Sequence, residues 1–385
     1  MQNKTKYFYF FTILFFFKPI CFQYITNLLI VDKIFIICKI IMALIILTKS
    51  FFAKFPTIKI HKYINSLILF ELSILCITLY YRGAVMRALI DMVTIVSFSL
   101  FIINELPKNK EKFLHTFCNV IFVYIFLNFI SEILYPSGIH ADLYTNSLNP
   151  LYFMTVDNGT TVLILLGIML IYLSDYYSKL KYKKIKLLIC IMCALFSGSS
   201  TAFICSFVLI ISLFLNSKYN FKFLDNNYFY LIIFAILFVS VLLGDNSIIN
   251  KLIFAITGKV GFTGRNFLWE NAIGMIKSSP LIGYGRLNQD YLHVWGGSFS
   301  SHNFFLELLL QGGVVALFCF FICLSKYIKK AKNINEKFVR RTCWISFLLF
   351  LIAMMMESSV HSIYLFSVIG ISVALGENYE RRRIN

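Results

Sequence analysis

Residues 264–313 read GRNFLWENAIGMIKSSPLIGYGRLNQDYLHVWGGSFSSHNFFLELLLQGG. On either side the chain is a succession of Phe-, Ile- and Leu-rich runs. This stretch instead carries Arg265, Arg286, His293 and His302, and two of the three tryptophans, Trp269 and Trp295. A long polar interruption between apolar runs is read as a loop outside the hydrocarbon, and the runs as segments that cross it. Chemistry is expected in the loop.

Composition agrees with that division. Of 385 residues, 59% are hydrophobic and 14% charged, and the mean hydropathy is +0.78, well above an ordinary soluble domain. Backbone in lipid must satisfy its own hydrogen bonds, so the spans are helices. They are expected at about 8–30, 34–48, 64–79, 88–103, 114–134, 159–174, 187–199, 201–216, 228–243, 302–323, 343–357 and 360–376. The expected fold is therefore all-α and polytopic, a single integral membrane domain over 1–385 with about 12 transmembrane helices. The run over 187–216 is counted twice because Ser197-Gly198-Ser199-Ser200-Thr201 divides it and lysines flank both sides. The apolar N-terminal run after Lys4 and Lys6 has no small-residue cleavage site and is read as a retained span.

The formal charge of +18 does not indicate nucleic acid, because the basic residues lie in short segments between spans. With the N-terminus inside, the inner segments hold 26 Lys and Arg and the outer ones 8, with Lys18 and Lys39 within spans. The positive-inside bias then puts both termini in the cytoplasm and makes residues 244–301 a large outward-facing loop. A second outer loop, Tyr135 to Asn158, has no Lys or Arg but contains Asp142 and Asp157. The ten cysteines fall in or beside apolar runs, and Cys190-x-x-Cys193 lacks a second ligand pair, so neither a disulfide framework nor a metal centre is indicated.

Within the large loop, residues 266–277 put Phe267, Leu268, Ala272, Met275 and Ile276 on one helical face, as in a helix lying at the membrane surface. Ser278-Ser279-Pro280 ends it. The Gly283-Tyr284-Gly285 turn is expected to bring backbone close to a ligand, and Ser300, Ser301 and Asn303 offer caps for the next span.

Arginines on an outer face run against the topology bias. Arg265 and Arg286 suit bidentate recognition of phosphate; the competing reading is a snorkelling side chain, or one paired with Glu270 or Asp290. Arg82 and Arg87 at span ends have the same two readings, and Asp91 is placed to pair with Arg87 one turn away. His302, at the mouth of the next span, is a candidate general base, or a histidine satisfying a helix end; Glu307 lies on the same helix face. His293 and His361 are weaker candidates. Glu132 and Glu357, like Glu307, are carboxylates near span ends that need a partner or a function. No phosphate-binding loop ending in Lys-Ser or Lys-Thr and no His-Glu-x-x-His motif occurs, which argues against an ATP-driven pump and a zinc protease.

The order Gly264-Arg265, Trp269, Pro280-Leu281, Gly283-Tyr284-Gly285, His302-Asn303-Phe304 and Gly312-Gly313 resembles the outer loop of the O-antigen polymerase and ligase superfamily, over about fifty residues. The resemblance implies a fold plan similar to the GT-C type glycosyltransferases with polyprenyl-linked donors, in a bacterial cytoplasmic membrane. It implies that Arg265 clamps a diphosphate and His302 is the base, with Arg286, Asn303, Glu307, Trp269, Tyr284, Arg82 and Arg87 as candidate substrate contacts. An arginine that family members often carry in an earlier turn is replaced here by Ser200. The implied reaction transfers a glycan from polyprenyl diphosphate to the next carrier-linked unit and requires no cofactor. Its implied partners are polyprenyl-diphosphate-linked oligosaccharides and the lipid bilayer, with a flippase and a chain-length regulator as further candidates. The alternatives are an O-antigen ligase, a transporter or flippase of lipid-linked glycans, and a non-catalytic assembly subunit.

Overall fold

The computed structural model describes residues 2–52, 62–141, 143, 150–156, 159–242, 265–286, 301–356 and 360–384. The candidates Asp142, Asp157, Asp290, His293, Trp295 and Glu357 lie outside them, as does most of the expected loop over 244–301. Among the described residues there are thirteen α-helices and no strand; one isolated bridge joins Leu151 and Val156.

Twelve helices correspond in order to the twelve expected spans, the first only in part. They are α1 Gln2–Phe16, α2 Leu29–Phe52, α3 Lys62–Tyr80, α4 Val85–Glu105, α5 Lys110–Leu134, α6 Thr160–Ser178, α7 Lys183–Phe196, α8 Ser200–Lys218, α9 Asn227–Leu242, α11 Phe304–Lys332, α12 Lys337–Met354 and α13 Ile363–Ile384. The thirteenth, α10 Arg265–Ser278, is the helix expected in the large loop. On length and composition α3, α4, α5, α6, α8 and α11 are each able to cross a bilayer, so the chain is a multi-pass membrane protein. The other six are shorter or more charged. The apolar parts of α1, α9 and α13 span Thr5–Phe16, Asn227–Phe238 and Ile363–Glu377, while α2, α7 and α12 carry several Lys or Arg.

The first expected span is corrected. Instead of one helix to about residue 30, α1 stops at Phe16 and two 3-10 turns, Ile20–Gln23 and Thr26–Leu28, lead into α2. Pro19 is the cause: it has no N–H and disfavours helical backbone at Lys18. The backbone released there is recovered across the fold, Ile20 N–H donating to Met154 O at 3.4 Å and Cys21 N–H to Phe153 O at 3.3 Å. Lys18 forms an ion pair with Asp32 of α2.

Helix α6 is apolar on all sides, and each residue from Thr160 to Ser174 is buried. It is packed among α5, α7, α8, α12 and α13, where a helix without a polar face belongs. A second group of helices, α3, α4, α11 and α13, packs beside it. The C-terminal end of α3 and the N-terminal ends of α4, α11 and α13 meet at one end of this group, and the large-loop residues gather there. The opposite end holds ion pairs such as Lys110–Glu336, Lys330–Glu377 and Asp225 with Arg340 and Arg341.

Candidate functional site

The site begins with a break in a helix. In an unbroken α11, Val314 and Val315 N–H would donate to Leu310 and Gln311 O four residues back. Gly313 instead adopts φ 59, ψ −159 and opens the ladder. The four backbone groups released are taken up by the segment after α10. Val314 N–H donates to Pro280 O at 2.9 Å and Val315 N–H to Leu281 O at 3.1 Å. In return Tyr284 N–H donates to Leu310 O at 2.7 Å and Gly285 N–H to Gln311 O at 2.9 Å. Residues 280–285 therefore complete the broken helix, which is how non-helical backbone is tolerated at membrane depth. A Cβ on Gly283 would lie 2.4 Å from Leu310 O, and one on Gly313 2.3 Å from Leu281 O. The Gly283-Tyr284-Gly285 turn, expected to lie against a ligand, lies against α11.

The same segment ties α3 and α4 to the loop. Arg286 N–H donates to Thr78 Oγ1 at 2.9 Å, and Ala84 N–H donates to Arg286 O at 2.9 Å. The Arg286 side chain, 16% exposed, forms an ion pair with Asp91. Asp91 thus pairs across the fold with Arg286 rather than with Arg87 one turn away. Burial and the nearby Arg87 hold the Arg286 guanidinium below the ordinary arginine range, while Glu71 and Glu307 support its charge. Arg87 itself is exposed on the first turn of α4, and Arg82 is exposed in the turn after α3 with a left-handed backbone, φ 52.

The mouth of α11 is held from three sides. Asn303 is the N-cap, its Oδ1 accepting from Phe305 N–H at 3.0 Å and Leu306 N–H at 3.2 Å. This satisfies two of the free donors at a helix start. Trp269 of α10, buried, donates its Nε1–H to Ser301 O at 3.0 Å. Glu307 Oε2 accepts from Ser301 N–H at 3.2 Å and lies 3.1 Å from Ser301 Oγ. Between these clamps His302 takes φ 46, a left-handed backbone that a histidine adopts only when its surroundings impose it. Burial, reinforced by Arg265, lowers its pKa to about 4, which favours the neutral imidazole at pH 7. Arg265, the first residue of α10, donates to Met356 Sδ at 3.1 Å, and sulfur is a weak acceptor.

Helix α10 rests on the bundle through Trp269 and Ala272, both buried, with Leu268, Met275 and Ile276 partly so. Four of the residues expected on its apolar face, Leu268, Ala272, Met275 and Ile276, thus pack on the bundle, together with Trp269. Tyr284 OH donates to Met275 O at 2.9 Å and fixes the turn to α10. Asn303, Trp269 and Tyr284 thus all make contacts within the protein.

Below the mouth a line of side chains continues into the helices. Gln311 Nε2 donates to Glu307 Oε1 at 3.0 Å; Gln311 Oε1 lies 3.2 Å from His361 Nε2; His361 Nδ1 lies 2.9 Å from Glu71 Oε2. Glu71 and Gln311 were not singled out from sequence. The signal for Glu71 was present, a single carboxylate within the apolar run of α3, but its partner is 290 residues away. Glu132, another buried carboxylate, accepts from Asn128 Nδ2 at 2.8 Å and from Cys193 Sγ at 3.6 Å. Cys193 thus joins a helix-packing contact, and among the described residues no cluster of His, Cys, Asp or Glu has the form of a metal site.

The structure brings Arg265 and His302 together at one end of the helix group, with Arg286 and Glu307 held in the layer beneath. No curated protein matches the chain. Residues 185–321 match the family model described as O-Antigen ligase, a stretch that contains Arg265, His302 and Glu307 but ends before His361 and starts after Glu71 and Asp91. Over just over a third of its length the chain is therefore similar to the O-antigen ligase and polymerase superfamily.

Proposed function

We propose that the protein is a membrane glycosyltransferase that moves a glycan from a polyprenyl diphosphate carrier onto the hydroxyl of the next carrier-linked unit, as a polysaccharide polymerase. The observation that carries this reading is the pair at the mouth of α11, the His302 imidazole and the Arg265 guanidinium close enough to lower its pKa. A sugar diphosphate already has a good leaving group. The reaction needs a base for the attacking hydroxyl and a cation for the departing diphosphate, and these two residues are of those two kinds.

In the proposed step the acceptor oxygen bonds to the anomeric carbon as the bond from that carbon to the diphosphate oxygen breaks. The hydroxyl proton passes to His302, and the leaving diphosphate stays on its carrier against Arg265. The strained backbone at His302 and its clamps through Ser301 and Asn303 favour one placement of the base, which supplies rate by orientation. Arg286, held by Asp91, contributes positive potential from below. Tyr284 and Trp269 act through the structure of the loop. The site faces outward from a bacterial inner membrane with both termini in the cytoplasm, as the distribution of Lys and Arg favours.

The test is the length distribution of surface polysaccharide from cells lacking the protein and complemented with wild type, Arg265→Ala or His302→Ala at matched expression. Wild type restores a ladder and both variants leave single units on the acceptor. Variants that restore the full ladder overturn the reading. Ligation of finished glycan to another acceptor is the second reading, favoured by the description of the matching family model. It predicts long chains retained on the polyprenyl carrier in the null strain.

A further inference from the structure

The end of the bundle away from the mouth of α11 holds a cavity of about 250 Å³, between the C-terminal end of α8 and the N-terminal end of α12. Lys218, Tyr219 and Asn220 line it from one side, and Lys337, Phe338 and Arg341 from the other. Asn216 Nδ2 donates to Phe338 O at 3.2 Å and holds the two ends together. Of the three cations, Lys218 and Lys337 are exposed and Arg341 is buried, its side chain 3% exposed. Arg341 commits Nε and Nη2 to Asp225 and Asn220, and among the described residues its Nη1 meets no acceptor. A guanidinium keeps its charge in such a place, and the nitrogen left over suits an anionic oxygen.

The backbone adds to the same field. Glu336, the N-cap of α12, makes no side-chain cap, so the positive end of the helix dipole is left uncovered beside Lys337. The carboxylates at this end are turned to other cations: Asp225 is bound by Arg340 and Arg341, and Glu336 lies 3.7 Å from Lys110. What the cavity can hold follows from where it lies. Phe207, Ile211 and Phe214 of α8, spaced four and three residues apart, are 48%, 41% and 54% exposed, and Lys218 follows four residues later on the same helix face. Since α8 is long and apolar enough to cross a bilayer, this strip faces acyl chains and ends at a cation. The end in question is the one that the distribution of Lys and Arg assigns to the cytoplasm.

We propose that this cavity binds the phosphate of an anionic phospholipid of the cytoplasmic leaflet, whose acyl chains run along Phe214, Ile211 and Phe207. Basic pockets between spans on the cytoplasmic side recognise such headgroups. Arg341 Nη1 donates to a phosphate oxygen from below, and Lys218 and Lys337 attract it from the rim. The site is separate from the mouth of α11 and does not depend on glycan transfer.

The test is native mass spectrometry of the purified full-length protein in detergent, titrated with phosphatidylglycerol, with phosphatidylethanolamine, or with inorganic phosphate at matched ionic strength. Wild type is compared with the pair Lys218→Gln and Lys337→Gln, the pair Lys218→Arg and Lys337→Arg, and the pair Lys181→Gln and Lys184→Gln, two exposed lysines that do not line the cavity. Wild type binds phosphatidylglycerol at least about tenfold more tightly than phosphatidylethanolamine, a measurement that needs no variant. Neutralising the rim lysines weakens this binding about fivefold for each and about thirtyfold for both. The arginine pair and the Lys181 and Lys184 pair bind as wild type does. Equal binding of the two lipids overturns the proposal, and so does equal weakening by the Lys181 and Lys184 pair, which signals general attraction to a basic surface. Inorganic phosphate that binds as tightly as phosphatidylglycerol overturns the lipid and leaves a site for soluble phosphate.

Discussion

Replacing Gly283 by alanine tests whether the loop is wedged into α11. The residue sits at φ 61, and an added Cβ would stand 2.4 Å from Leu310 O and 2.8 Å from Leu309 O. Left-handed backbone costs an alanine about 1–2 kcal/mol. The colliding atoms are main-chain carbonyls, which cannot rotate away as a side chain would, so relief requires the turn to withdraw. The bonds nearest the clash, Tyr284 N–H to Leu310 O and Gly285 N–H to Gln311 O, are lost first, at about 1–1.5 kcal/mol each. Together these give a loss of roughly 3–5 kcal/mol. The assay is thermal unfolding of the purified protein in detergent, with Gly274→Ala as the control. Gly274 lies in α10, and a Cβ there meets nothing within 4 Å, so that change is neutral or stabilising by about 0.5–1 kcal/mol. Equal midpoints for the two variants refute the insertion of residues 280–285 into the helix.

Three further outcomes are expected. Because burial and Arg265 lower the pKa of His302 to about 4, transfer persists as pH falls to about 5 and is lost as pH drops through 4, where the base becomes protonated. Arg265→Lys keeps the charge and leaves this acid limb in place, whereas Arg265→Gln raises the His302 pKa and moves the limb to higher pH, read from residual transfer. Asp91→Asn and Arg286→Gln each destabilise the protein and couple by about 1–3 kcal/mol in a double-mutant cycle of unfolding free energies; a coupling near zero removes the ion pair from the account. At the opposite end of the bundle, hydrogen bonds from Arg341 and then Arg340 hold Asp225 at about 2, below the usual carboxylate range. A group depressed in the folded state contributes stability above its unfolded pKa. That contribution is present above about pH 4 and disappears as pH falls towards 2, and Asp225→Asn flattens this part of the stability profile.

Much of the fold was legible because lipid imposes one rule on every segment. Apolar runs must be helical and must start and stop near charge or turn residues, so eleven of the twelve expected spans coincide with helices and the first does so in part, and the helix after Gly264 buries Leu268, Ala272, Met275 and Ile276 of its expected face wholly or partly. The first span was misjudged by reading apolar continuity past Pro19, where the missing N–H ends the helix. Arg265, His302 and Glu307 stood out as polar residues in unusual places, and their positions at the ends of α10 and α11 follow from local sequence. Local sequence also sets the Asn303 cap, two and three residues from the N–H groups it serves. What sequence could not decide is which distant groups answer one another. Asp91 lies one turn from Arg87 yet pairs with Arg286, 195 residues away in the chain. Gly283 marked a turn in the sequence, but that it fits against Gly313 depends on the packing of a loop into a broken helix. The line from Glu71 through His361 to Ser301 draws on three separate segments, and a buried charge in lipid is stable only beside partners that tertiary packing brings to it.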